Sequence, residues 1–195
     1  MNRELIDLFP IPLYTTPNVL SRSENDDIKN KVLDIAPSID TGGDWNCNTF
    51  NSMGKFDLRQ HQMFSKINET IIKNVNYFSR DSYRSFVDYK ILDSWFNISS
   101  ENCYQEYHMH ADSVFSAVYY VRCPAGSGDI VFDNPQNQMI SLKNVDEMNN
   151  VNSNFVSYQP TEGDLLIFRS SLRHMVKLGY NKEPRVSLAY NFIAC

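Results

Sequence analysis

The sequence predicts a mainly β fold, a sandwich or barrel of short strands preceded by helical support, and three observations carry that prediction. Beyond Ser94 the chain breaks into short runs rich in β-branched and aromatic residues. These runs are punctuated by Pro124-Ala125-Gly126-Ser127-Gly128 and Thr161-Glu162-Gly163-Asp164, which is turn chemistry between many short strands rather than the spacing of a Rossmann sheet. Tyr and Phe number 11 and 12, and aromatics at this level suit pleated strands and a lined pocket.

The 195 residues are 42% hydrophobic and 21% charged, ordinary globular composition at the size of one domain. We read residues 1–195 as one unit, with 1–93 as an N-terminal strand and helical support and 94–195 as the β core. Lys and Arg total 18 against 23 acidic side chains, a formal charge of −5. That lacks the clustered basic excess of a nucleic-acid footprint, so no nucleic-acid partner is expected. No run of 18 apolar residues suggests a membrane span. Met1-Asn2-Arg3-Glu4 leads into Leu8-Phe9-Pro10 without the apolar stretch of a signal peptide, so the expected location is the cytoplasm. Cys47, Cys103, Cys123 and Cys195 form no CxxC pair and read as reduced thiols.

Taken in order, Leu8-Phe9-Pro10-Ile11-Pro12-Leu13-Tyr14 reads as an edge strand, because two prolines cannot donate to a ladder. Such an exposed edge is also where a homodimer would pair. Residues 21–55 predict a short helix followed by a loop around Thr41-Gly42-Gly43. The clearest helix spans about Leu58 to Phe78, where Phe64, Ile67, Ile71, Val75 and Phe78 share one face and Lys66, Glu69, Lys73 and Asn76 fall largely on the other. Strands are then expected at Ser94–Ile98, Cys103–His110, Phe115–Arg122, Asp129–Phe132, Ser157–Gln159, Asp164–Phe168, His174–Val176 and Arg185–Phe192. The Asn-rich stretch from Asn134 to Asn154 is long for a plain loop, and reads either as an active-site cover or as a surface insertion.

The chain holds four histidines, His61, His108, His110 and His174. His61 falls at the start of the helical segment and reads as a surface or packing residue. In a strand, residues i and i+2 share a face, so His108 and His110 would stand side by side, and Asp112 would extend the row if the strand continued. His174 follows the apolar run Leu165-Leu166-Ile167-Phe168 and is the natural third ligand from a distant strand. Three imidazoles suit Fe, Ni, Cu or Zn. An HxH pair is weak evidence alone, since it also describes two surface histidines on an edge strand. Arg185 adds to the case: in Arg185–Phe192, Arg185, Ser187 and Ala189 share one face, and a guanidinium beside a hydroxyl makes a fork for a carboxylate.

At these residues the sequence resembles the small 2-oxoglutarate/Fe(II)-dependent oxygenase-like proteins of marine bacteria and phages. The resemblance begins at Leu8-Phe9-Pro10-Ile11-Pro12-Leu13 and continues at Ser94-Trp95-Phe96-Asn97. It is strongest over His108-Met109-His110-Ala111-Asp112-Ser113-Val114-Phe115-Ser116-Ala117-Val118-Tyr119-Tyr120-Val121. It extends through Gly128–Pro135, Pro160–Leu165, Phe168–His174 and Arg185–Phe192. Ala117 stands where that family usually has glycine, and Ala111 where proline is common.

The resemblance implies a double-stranded β-helix, that is, a cupin-like jelly roll, with N-terminal helices packed against it. It implies Fe(II) held by His108, His110 and His174, with HxH in place of the superfamily's HxD. A rival register of His110, Asp112 and His174 restores a carboxylate and stays open at this point. It further implies 2-oxoglutarate as co-substrate, its far carboxylate on Arg185 with help from Ser187 and a hydroxyl of Tyr119 or Tyr120, with Tyr104 and Asn97 as weaker lining candidates. The implied activity is hydroxylation of a small-molecule or peptide substrate, contacted by the loops Thr41–Lys55 and Pro135–Asn154. Competing readings are a non-redox metal-binding cupin-like protein and a structural β-sandwich with no site.

Overall fold

Helices form where the first half of the chain offers caps and a 3.6-residue apolar period, and strands fill the rest. The computed structural model describes residues 4, 6, 8–40, 45–136, 145–149 and 151–195. Strand β1 (Tyr14–Thr16) precedes helix α1 (Arg22–Ile35). The helix opens on a capping box: the Ser21 hydroxyl accepts from the Glu24 backbone N–H, and the Glu24 carboxylate accepts from the Ser21 N–H. Lys66 reaches across from the second helix to pair with Glu24. A two-residue strand, β2 (Phe50–Asn51), had no sequence signal.

Two single 3-10 turns (Leu58–Gln60 and Gln62–Phe64) lead into helix α2 (Ser65–Tyr83). The expected helix from Leu58 therefore starts later, because His61 is extended between the two turns. It also runs on to a left-handed C-cap at Arg84. The expected face holds: Phe64, Ile67, Ile71, Val75 and Phe78 are all buried. His61 is exposed and stacks on Phe56, with ring centroids 4.1 Å apart.

The remaining strands are β3 (Tyr89–Ser99), β4 (Gln105–His108), β5 (Phe115–Arg122), β6 (Ile130–Asp133), β7 (Phe155–Tyr158), β8 (Leu165–Arg169), β9 (His174–Val176) and β10 (Arg185–Ala194). Each of the eight expected strands has a counterpart. Two differences matter. β3 begins before Ser94, and β4 ends at His108 instead of continuing to His110. All pairings are antiparallel, giving a six-stranded sheet β1-β8-β5-β10-β3-β2 and a four-stranded sheet β4-β9-β6-β7. This is a double-stranded β-helix with N-terminal helices against it. β1 does occupy an edge, beside β8. Pairing starts only at Tyr14, however, because Pro10 and Pro12 offer no N–H, and Leu8–Leu13 lies outside the strand.

Strand alternation sorts the large sheet into two faces. Val186, Leu188, Tyr190 and Phe192 of β10, Tyr119 and Val121 of β5, and Leu165 and Ile167 of β8 pack in one core with Ile28, Val32, Phe64, Ile67, Ile71 and Val75 from the helical half. Each fully buried aliphatic there contributes about 1.5–3 kcal/mol, so the helices anchor the sheet. On the other face Tyr120, Leu166 and Phe168 meet Ile130 and Phe132 of the small sheet in a second, smaller cluster. All four cysteines are free, and among the described residues no helix is long and apolar enough to cross a membrane. The loop expected around Gly42-Gly43 and much of the Asn134–Asn154 stretch lie outside the described residues.

Candidate metal centre

The small sheet pairs β4 with β9 so that His108 and His174 are partners across the ladder. A register shift between Gln105 and His108 breaks the simple alternation of β4. His110 lies past the strand end, which corrects the expectation that both histidines project from one strand. It is moored to the large sheet instead. Its backbone N–H donates to the Ser170 carbonyl at 3.0 Å, and its Nδ1 lies 3.3 Å from Asn191 Nδ2 on β10. One ligand atom from each of His108, His110 and His174 lies within 4.8 Å of the other two. Asp112 does not join this group. The chain turns after His110 and leaves Asp112 exposed.

Two of the three rings are oriented as neutral ligands, and the third, His110, presents its Nδ1 to Asn191 Nδ2. His108 Nδ1 lies 2.7 Å from the Glu106 carbonyl, and His174 Nδ1 lies 2.8 Å from the Leu172 carbonyl. A carbonyl only accepts, so in each ring Nδ1 carries the hydrogen and Nε2 keeps its lone pair. Burial, reinforced by the neighbouring imidazoles, holds His174 down to about 3. Burial and the nearby His108 hold His110 down to about 4, and His108 is lowered chiefly by burial. All three are therefore unprotonated at neutral pH, as coordination requires. Aromatic rings enclose them: Trp45 stands edge-on to His108 at 4.9 Å, Trp95 lies 5.8 Å from His110, and Phe168 lies 4.8 Å from His174.

Further along the same interior face, Arg185 is buried, with its guanidinium 5.1 Å from the Tyr120 ring centroid. Arg185 Nε, the Tyr120 hydroxyl and Asn97 Oδ1 are all shielded from solvent and without partners among the described residues. Ser187 sits in register between Tyr120 on β5 and Asn97 on β3. Burial pushes the Tyr120 hydroxyl up to about 12, so it remains a donor. An orphaned buried cation and donor are expensive unless an anion completes them. The set Arg185, Tyr120, Ser187 and Asn97 fits one end of a carboxylate ligand, and the three imidazoles fit a divalent ion.

Tyr119 is a correction. Neighbouring strand residues face opposite ways, and the Tyr119 hydroxyl donates to Asn25 Oδ1 at 2.8 Å on the helix side. Tyr104 is tied down through its backbone, with its carbonyl accepting from Cys47 Sγ and Thr49 Oγ1.

The sequence reading missed Trp45, Trp95, Asp93 and Asn191. Asn191 was within reach, since the alternation Arg185, Ser187, Ala189 continues one step to it. Asp93, its partner on β3, has a carboxyl raised by burial and an unpartnered Oδ1. Trp45 comes from a distant loop with no periodic signal.

The chain is a double-stranded β-helix with a three-imidazole cluster between its sheets that could hold a metal ion. Residues 93–191 match the family described as "Putative 2OG-Fe(II) oxygenase", and the chain belongs to that family. Its fold is similar to several solved structures. A Pseudomonas putida prolyl-4-hydroxylase aligns with a TM-score of 0.66 at 13% identity, covering 93% of this chain and 92% of that one. A viral collagen prolyl hydroxylase from Paramecium Bursaria Chlorella virus-1, solved as a 2OG complex, aligns at 0.60 and 14% identity over 92% and 94%. HygX from Streptomyces hygroscopicus, solved with nickel, 2-oxoglutarate and hygromycin B, aligns at 0.68 and 10% identity over 93% and 82%. No curated protein matches the sequence.

Proposed function

We propose that this protein is an Fe(II)- and 2-oxoglutarate-dependent oxygenase that hydroxylates a small molecule or a peptide. The observation that carries the reading is the pairing of three converging neutral imidazoles with a buried guanidinium whose Nε has no partner on the same sheet face. His108, His110 and His174 hold the iron. Arg185 pairs with the far carboxylate of the co-substrate, Tyr120 and Ser187 donate to it, and Asn97 lines the space beside them. When bound, Fe(II) and 2-oxoglutarate supply oxidation of a substrate C–H bond by O2, with succinate and CO2 as co-products. Trp45, Trp95 and Phe168 exclude water around the imidazoles and limit side reactions.

Anaerobic Fe(II) titration with and without 2-oxoglutarate tests this. A weak visible charge-transfer band is expected only with both present, and it should disappear in Arg185→Ala. An iron-loaded, folded sample that gives no band with 2-oxoglutarate defeats the proposal. A second reading follows from the resemblance, which puts His110 where the superfamily carries a carboxylate and would leave the ion's charge less compensated. That suits a metal-binding jelly roll that takes no 2-oxoglutarate, and the same titration separates the two.

A further inference from the structure

The contact between His110 and Asn191 runs against metal binding in its present polarity. Asn191 Nδ2 faces His110 Nδ1 at 3.3 Å, while Ser116 donates to Asn191 Oδ1 at 2.8 Å. An amide nitrogen only donates. His110 Nδ1 is thus the acceptor, the ring hydrogen sits on Nε2, and no lone pair is left there for an ion. His108 and His174 have the opposite polarity, each with Nδ1 donating to a carbonyl.

A half-turn of the Asn191 amide would exchange its oxygen and nitrogen. Whether that turn is open depends on the groups behind it. There, Ser116 Oγ lies 2.9 Å from Ser170 Oγ, Ser170 Oγ lies 2.8 Å from Ser113 Oγ, and Ser113 Oγ lies 3.4 Å from the His110 carbonyl. A hydroxyl donates one hydrogen and accepts others, so this file works in both directions. Hydrogens run from Ser113 through Ser170 and Ser116 to Asn191 Oδ1. Alternatively, they run from Asn191 Nδ2 through Ser116, Ser170 and Ser113 to the His110 carbonyl. Along the three hydroxyls neither direction strands a donor, and the half-turn moves the Asn191 amide nitrogen away from the Asp93 carboxyl that it faces in the first direction.

We infer that Asn191 is the positioning residue of His110 and that the Asn191–Ser116–Ser170–Ser113 file reverses polarity when an ion binds. Asn191 Oδ1 then accepts from His110 Nδ1, and His110 Nε2 is freed for the ion. This takes from the proposed function only that His110 is a ligand.

Proton NMR of the cobalt(II)-substituted protein tests it, because an imidazole Nδ1–H on a paramagnetic ion gives a strongly shifted signal that vanishes in D2O. Three such signals are expected. Asn191→Leu should lose one and weaken cobalt binding about 10–100-fold. Asn191→Asp, which offers an acceptor at the same place, should keep all three and bind within a few-fold of the unaltered chain. Ser116→Ala should fall between them. Two signals in the unaltered chain, or an Asn191→Asp variant that binds far more weakly than the unaltered chain, overturns the role of Asn191. Unaltered affinity in Ser116→Ala overturns the reversing file. A folded chain that takes up no cobalt overturns the metal reading itself, and this inference with it.

Discussion

Strand β10 presents two different proteins on its two faces. Val186, Leu188, Tyr190 and Phe192 meet the helices in a continuous apolar core. Arg185, Ser187 and Asn191, buried to a similar degree, look inward at the small sheet. Several interior polar atoms, including Arg185 Nε, Tyr120 Oη, Asn97 Oδ1 and Asp93 Oδ1, have no partner among the described residues. The helix face stabilises the fold. The interior face lowers stability and holds chemistry in reserve, as buried polar groups without partners do.

Acid is expected to break this contrast most strongly. Burial holds His174 down to about 3 and His110 down to about 4 in the folded chain, against about 6.5 unfolded. Between those values the unfolded chain holds more protons, so stability rises with pH through the window. It is fully present above about 6.5 and is lost as pH falls toward 4 and below. Urea midpoints of the metal-free protein from pH 7 to 4 measure the slope. His174→Leu should flatten it, and a slope unchanged in that variant contradicts the assignment.

Substitutions on β10 come next. Leu188→Ala removes a fully buried side chain and should lower stability by about 2–5 kcal/mol without changing metal affinity. Arg185→Met should be neutral or stabilising by about 1–3 kcal/mol, while 2-oxoglutarate binding falls more than about tenfold. Denaturation and ligand titration on both variants check the pair. Large destabilisation by Arg185→Met would mean the interior face is structural after all.

The adjacent tyrosines sharpen the contrast at the smallest scale. Tyr119→Phe breaks the hydrogen bond to Asn25 and should cost about 1 kcal/mol with no effect on co-substrate binding. Tyr120→Phe removes a hydroxyl with no partner, so stability should hold while 2-oxoglutarate binds several-fold more weakly.

Much of this architecture was legible because period and turn chemistry are local. Phe64, Ile67, Ile71, Val75 and Phe78 announced their helix face, and the Gly/Pro turns separated the strands. Boundaries drifted where one residue overrode the pattern, as the extended His61 did at the head of α2 and Pro12 did before β1. The candidate ligands could be nominated from His108, His110 and His174. The reason they converge could not, because it lies in a bulge in β4, a strand that stops at His108, and tertiary contacts to Ser170 and Asn191. Trp45 reaches His108 from a loop some sixty residues away in sequence, a proximity no local pattern encodes.

His108 and His174 hang from the small sheet, whereas His110 is fastened to the large one through Ser170 and Asn191. An ion shared by all three is a rivet between two layers that otherwise meet through a modest apolar cluster. Loading the centre would therefore tighten the two layers against each other, and whatever loosens one layer would loosen the grip on the ion.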